Sequence, residues 1–121
     1  MIEVESFKKI VTKISKEDFM DKFQVLLQEK WFSAGELETY SYPKSAGSLA
    51  GRYLIKKALA DQLESEFDKS EIEILNNEFG KPEIKLGDNV AGMTKKAGIS
   101  DILCSISHSR NFIAGMTILC Y

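Results

Sequence analysis

The feature that most restricts the fold is a change of period in the middle of the chain. From Ser45 to Leu63 the apolar residues Leu49, Tyr53, Ile55, Leu59 and Leu63 recur at helical spacing, with Lys56, Lys57 and Asp61 between them. Farther on, Ile72 and Ile74 alternate with Glu71 and Glu73, the pattern of a half-buried strand. A long helix that gives way to strand-period sequence excludes both a pure helical bundle and an all-β sandwich. The flanking segments fit this division. Ser15 followed by Asp18 resembles a capping box, and Phe19, Phe23, Leu26 and Leu27 continue it at helical spacing, which predicts a helix over Lys16 to Gln28. Ser33 and Glu36 repeat the cue and predict a short helix leading into a break at Tyr40 to Pro43. Past the long helix, Asn76, Asn77, Gly80 and Pro82 mark a turn, and Ile84 and Leu86 alternate as a second strand. Asn89 is the expected cap of a short helix that stops at Gly98. Ile102 to Ile106 and Phe112 to Leu119 flank a Ser-His-Ser-Arg-Asn turn as a closing hairpin. The expected class is α+β: helices first, then a small antiparallel sheet with one helix inserted.

Length and composition bound the function classes. At 121 residues, 44% hydrophobic and 28% charged, the chain is expected to form one domain over residues 1–121 with a real core. Its 16 basic and 18 acidic residues leave a net charge of −2 without a like-charged run, so no nucleic-acid partner is expected. Met1 to Lys9 carries Glu3, Glu5, Lys8 and Lys9 and has no apolar h-region, and no apolar run reaches transmembrane length. No membrane association and a cytoplasmic location are therefore expected. Cys104 and Cys120 lie far apart in apolar stretches, which suits small buried hydrophobes better than a disulfide.

Three segments in order carry a resemblance to a known family. Leu49-Ala50-Gly51-Arg52-Tyr53-Leu54-Ile55-Lys56-Lys57-Ala58 is similar to an L-A-G-R-F-A-A-K-E-A helix. Ile72-Glu73-Ile74-Leu75-Asn76 with Gly80-Lys81-Pro82 resembles I-E-I-L-N-x-x-x-G-K-P, and Ser105-Ile106-Ser107-His108 resembles a strand-ending S-x-S-H. Together they resemble the holo-acyl-carrier-protein synthase type of 4′-phosphopantetheinyl transferase. The resemblance implies the fold of that family and transfer of phosphopantetheine from coenzyme A to a serine of an acyl carrier protein, releasing 3′,5′-ADP. It also implies a homo-trimer with sites between subunits.

The family's Mg²⁺ is held by the Glu of the K-E pair and by an Asp directly after the first strand. Here the pair reads Lys56-Lys57, and the family's second Lys, four residues after that Glu, falls on Asp61. A protonated ammonium does not ligate a cation. The chain begins close to where the family's first strand should end, and its nearest acid is Glu3. The usual Mg²⁺ site is therefore expected to be absent or remade, with Glu3 and Asp61 as the replacement acids. Glu3, Lys56, Lys57 and Asp61 are the candidate catalytic residues.

The resemblance also implies contacts to coenzyme A from Arg52, Lys56, Gly80, Lys81, Pro82, Ser107 and His108. Each has a plainer reading. His108 also fits a turn residue capping a strand, Lys81 a solvated hairpin lysine, and Arg52 a surface ion pair. Tyr53, Phe112 and Trp31 fit core or edge aromatics. Phe79, which replaces a polar residue usual before the Gly-Lys-Pro turn, fits the same role or a cover over a smaller nucleotide site. Lys44, Arg52, Lys56, Lys57 and Lys81 are expected to form a basic patch for the 3′,5′-ADP portion or an acidic carrier protein. A positive Lys57 can itself offset pyrophosphate charge in place of a metal. Two readings stand: an active transferase with a remade site, and a non-catalytic relative that binds coenzyme A, a carrier protein or a partner subunit.

Overall fold

The first element is a strand that the spacing does not predict. The structure, a computed structural model, describes residues 6–121, and β1 occupies Phe7–Ser15. Its Ile10, Thr12 and Ile14 are half-buried on one face while Phe7, Lys9, Val11 and Lys13 are exposed on the other. Val11 sits among the outward lysines, and that blurs the alternation a strand normally shows. The expectation that no strand precedes the first helix is thus corrected. Glu3 lies outside the described residues.

Ser15 ends β1 and caps α1 (Lys16–Gln28), its side chain accepting a hydrogen bond from the Asp18 N–H. Ser33 caps α2 (Ala34–Thr39) with a full capping box: Glu36 N–H donates to Ser33 Oγ, and Ser33 N–H donates back to Glu36 Oε1. Then come α3 (Ala46–Leu63), β2 (Ile72–Asn76), β3 (Pro82–Leu86), α4 (Asp88–Lys96), β4 (Asp101–His108) and β5 (Phe112–Cys120). The N-cap of α4 is Gly87, so Asn89 lies inside the helix instead of capping it.

Two antiparallel sheets form instead of one: β1-β5-β4, and the β2-β3 hairpin. In the first, Phe7 pairs with Cys120 and Ser15 with Phe112, while His108 pairs with Ile113. The five-residue interval between β2 and β3 closes at Gly80, whose φ of 79° is a left-handed value that glycine adopts without strain.

Helix α3 is the axis on which both layers pack. It was expected to be amphipathic, yet Leu49 to Lys56 are buried in sequence, together with Ala58 and Leu59. On one side Phe19, Phe23, Leu26 and Phe32 gather around Leu49 and Tyr53; on the other Ile55 and Leu59 meet Ile72, Ile74, Val90 and Leu119. Each fully buried side chain of this size contributes roughly 1.5–3 kcal/mol through removal of apolar area from water. The helix reaches the sheet closely because Gly51 meets the Ile106 side chain where a Cβ would stand, and a Cβ on Gly115 would lie 3.0 Å from that of Leu54. No helix is long and apolar enough to cross a membrane among the described residues.

Candidate functional site

The edge strand β1 covers α3 only partly, and a cleft of about 820 Å³ opens between its inner face, α1 and α3. Its floor is apolar, with Ile10, Ile14, Leu54 and Ala58 beside Tyr53, and its walls carry Lys8, Lys13, Lys22 and Lys57 together with Asp18, Asp61 and Glu64. Lys57 Nζ lies 3.6 Å from Asp61 Oδ2 one turn on, a pair whose side chains are 50% and 70% exposed. Such an exposed pair is weak and exchanges readily with solvent. Lys8 Nζ donates to Gln62 Oε1 at 2.8 Å, and Lys13 Nζ stands 5.2 Å from the centre of the Phe112 ring. Thr12 also lines the cleft, and its hydroxyl oxygen is buried without a hydrogen-bond partner among the described residues.

Lys56 has a different place from Lys57. It is fully buried, with Nζ donating to Glu36 Oε1 at 2.5 Å and to the Trp31 carbonyl at 2.8 Å. Glu36 is equally buried, and its Oε2 accepts the Ile74 N–H, so one carboxylate ties α2, α3 and β2 together. Burial lowers the Lys56 pKa from its ordinary value, and the Glu36 carboxylate opposes that shift. Arg52 is enclosed as well: its guanidinium donates to the Ile74 and Ser48 carbonyls, Tyr40 Oη and Asn76 Oδ1, and it lies 3.9 Å from the centre of the Tyr40 ring. Burial likewise lowers the Arg52 pKa. The expected basic patch is therefore split. Arg52 and Lys56 are internal struts, whereas Lys44, Lys57 and Lys81 are exposed. Nor is Arg52 a surface pair. The sequence cue that finds Glu36 is its place in the Ser33 capping box, but nothing in the spacing announces Lys56 as its partner.

The remaining candidates cluster elsewhere. His108 ends β4 against the first turn of α3, where a Cβ on Gly47 would fall 2.5 Å from its Nδ1. Ser107 is exposed beside it. Gly47 and Lys57 are separated by about 15 Å along the helix axis, so His108 and Lys57 do not meet within one chain. Lys81 and Pro82 share a groove between β3 and β4 with Ser105 and Cys104, whose Sγ lies 3.9 Å from the Pro82 carbonyl. Both cysteines are free, and burial pushes the Cys104 thiol up to about 11. Phe79 is 79% exposed at the hairpin tip beside Gly80.

The carboxylates of the cleft do not suit a divalent cation. Asp61 faces the Lys57 ammonium, and among the described residues no three of His, Cys, Asp and Glu are grouped to hold a metal ion. Mg²⁺ needs near-octahedral oxygen donors, and an ammonium within ion-pair distance of one of them opposes it.

The fold defined by these elements, an α+β unit with α3 laid against β1-β5-β4 and a β2-β3 hairpin, is that of the holo-acyl-carrier-protein synthases. The chain matches the coenzyme A complex of the enzyme from Chronobacterium ammoniagenes with a TM-score of 0.77 and 22% identity, over 97% of this chain and 98% of that one. The holo-acyl-carrier-protein synthase from Neisseria meningitidis matches with a TM-score of 0.75 and 19% identity, over 93% and 97% of the two chains. The Helicobacter pylori enzyme in complex with coenzyme A matches with a TM-score of 0.73 and 18% identity, over 93% and 99%. No protein-family model matches the sequence, and no curated protein matches it.

Proposed function

We infer that residues 1–121 form a 4′-phosphopantetheinyl-transferase-like domain whose ligands are coenzyme A and an acyl carrier protein. The observation that carries this reading is the coincidence of two independent likenesses. The three ordered sequence segments resemble the synthase family, and the whole chain shares the fold of synthases whose solved complexes contain coenzyme A. A part of each segment is open to a ligand, Lys57 on the cleft, Lys81 at the hairpin turn and Ser107 and His108 at the strand end, while Arg52 and Lys56 are internal.

A homo-trimer belongs to this reading, with the cleft of one subunit beside the His108 end of the next. Its support is the outward face of the β1-β5-β4 sheet, where Phe7 is 65% exposed, Val11 61% and Leu103 51%, flanking Met116 and Ile118 of the central strand. These apolar side chains, on a face that also carries Lys9 and Lys13, suit contact with another chain better than contact with water. A cytoplasmic location accords with such a role.

A second reading, a non-catalytic relative that binds the same partners, is favoured by the cation at Lys57 and by the unsuitability of the cleft carboxylates for Mg²⁺. Mass spectrometry of apo carrier proteins incubated with this protein and coenzyme A separates the two. A gain of the phosphopantetheine mass is the expected result for the transferase. Unmodified carriers, in a set that a family enzyme does modify under the same conditions with Mg²⁺ present, would support the binding role instead.

A further inference from the structure

The cleft sets the ammonium groups of Lys8, Lys13, Lys22 and Lys57 against the carboxylates of Asp18, Asp61 and Glu64, and this arrangement has its own chemistry. Lys22 makes no ion pair or side-chain hydrogen bond among the described residues, and Lys13 is held only over the Phe112 ring. Among the described residues Lys57 is held only by the exposed and long contact to Asp61. All three line one cavity, whose floor is apolar. A phosphate oxygen is a stronger partner for an ammonium than a solvated carboxylate at 3.6 Å. An elongated ligand with an anionic head and a flexible, less polar arm matches such a cleft; a compact divalent cation does not.

We propose that this cleft binds the pyrophosphate of coenzyme A on the ammonium groups of Lys57, Lys22 and Lys13, without a divalent cation. The proposal rests on coenzyme A being the ligand of this chain. Binding through exposed ammonium groups persists in chelator and weakens as ionic strength rises, since mobile ions screen such contacts. Asp61 swings away from Lys57 as the phosphate arrives, so its removal strengthens binding rather than weakening it.

The test is isothermal titration calorimetry of the full chain with coenzyme A and with 3′,5′-ADP, in EDTA and in excess Mg²⁺. Wild type, Lys57→Glu, Lys22→Gln and Asp61→Asn are compared, with thermal melts to confirm that each is folded. Lys57 is half exposed, so its variant keeps the fold. The expected result is wild-type affinity for coenzyme A that is the same in EDTA and Mg²⁺. Lys57→Glu loses roughly tenfold or more in EDTA and recovers part of it in Mg²⁺, and Asp61→Asn binds more tightly in both. Lys22→Gln weakens binding by a smaller factor. Wild-type binding that disappears in EDTA, or binding unchanged by both lysine variants, overturns the proposal while leaving coenzyme A as the ligand. A folded wild-type protein that binds coenzyme A under neither condition overturns the proposal together with the functional reading beneath it. Affinity for coenzyme A without affinity for 3′,5′-ADP supports the pyrophosphate and its arm as the bound portion.

Discussion

Lys56 and Lys57 are adjacent in sequence and point about 100° apart around α3, which places them in different media. Lys56 is enclosed with Glu36, and neither charge is solvated. Removing one partner of a buried pair leaves the other uncompensated, so Lys56→Met is expected to destabilise the fold by about 3–5 kcal/mol in urea unfolding, whereas Glu36→Gln with Lys56→Met recovers part of that loss. If the single variant unfolds at the wild-type midpoint, the pair is not a strut. The Leu49 to Ala58 segment could be read from its residue pattern, since the order of small, basic and apolar side chains is distinctive. Which lysine faces inward could not. That depends on α2 and β2 bringing Glu36 and the Ile74 N–H to the same point, and helical spacing carries no information about partners twenty to forty residues away.

At the scale of elements, contact between α3 and β4 is set by the absence of a side chain at Gly51, where any Cβ would meet Ile106. Gly51→Ala is expected to lower stability by about 1–3 kcal/mol through overpacking, and Ile106→Ala in the same chain to relieve the clash at the cost of its own cavity. Thermal unfolding of the single and double variants shows whether the two effects are coupled: simple additivity would count against direct contact. Helices α1 and α2 were legible because the caps at Ser15 and Ser33 mark where each begins. Strand β1 was not, because an edge strand needs only half its residues covered and its outer face mixes lysines with Val11. The split into two sheets was equally hidden. Alternation identifies strands but says nothing of which edge each one joins, and β3 faces β4 without pairing to it.

Across the whole molecule, the candidate residues are dispersed: Lys57 and Asp61 lie in the cleft, Lys81 and Pro82 in the groove beside β4, Ser107 and His108 at the end of β4 by the first turn of α3, and Arg52 and Lys56 in the interior. In the proposed trimer, contact between subunits would bring the cleft beside the His108 end, with the exposed Phe7, Val11 and Leu103 on the face that makes it. Val11→Lys, which sets a charge beside Met116 on that face, is expected to convert a trimer into monomers in sedimentation velocity while leaving the circular dichroism unchanged. A wild-type protein that sediments as a monomer would remove the assembly from the functional reading. The sequence pattern could not show this division, because positions on one helix have neighbours in space only after the strands are placed. Placement of the strands also bears on how the chain is made. The central strand of the larger sheet is β5, the last of the described strands, and both β1 and β4 depend on it for their pairing. During synthesis the helices can form as they leave the ribosome, but β1 must wait with its outer and inner edges unpaired while some hundred residues are added. The larger sheet thus closes only when translation of this region is complete, and a growing chain stalled before Phe112 holds no part of it.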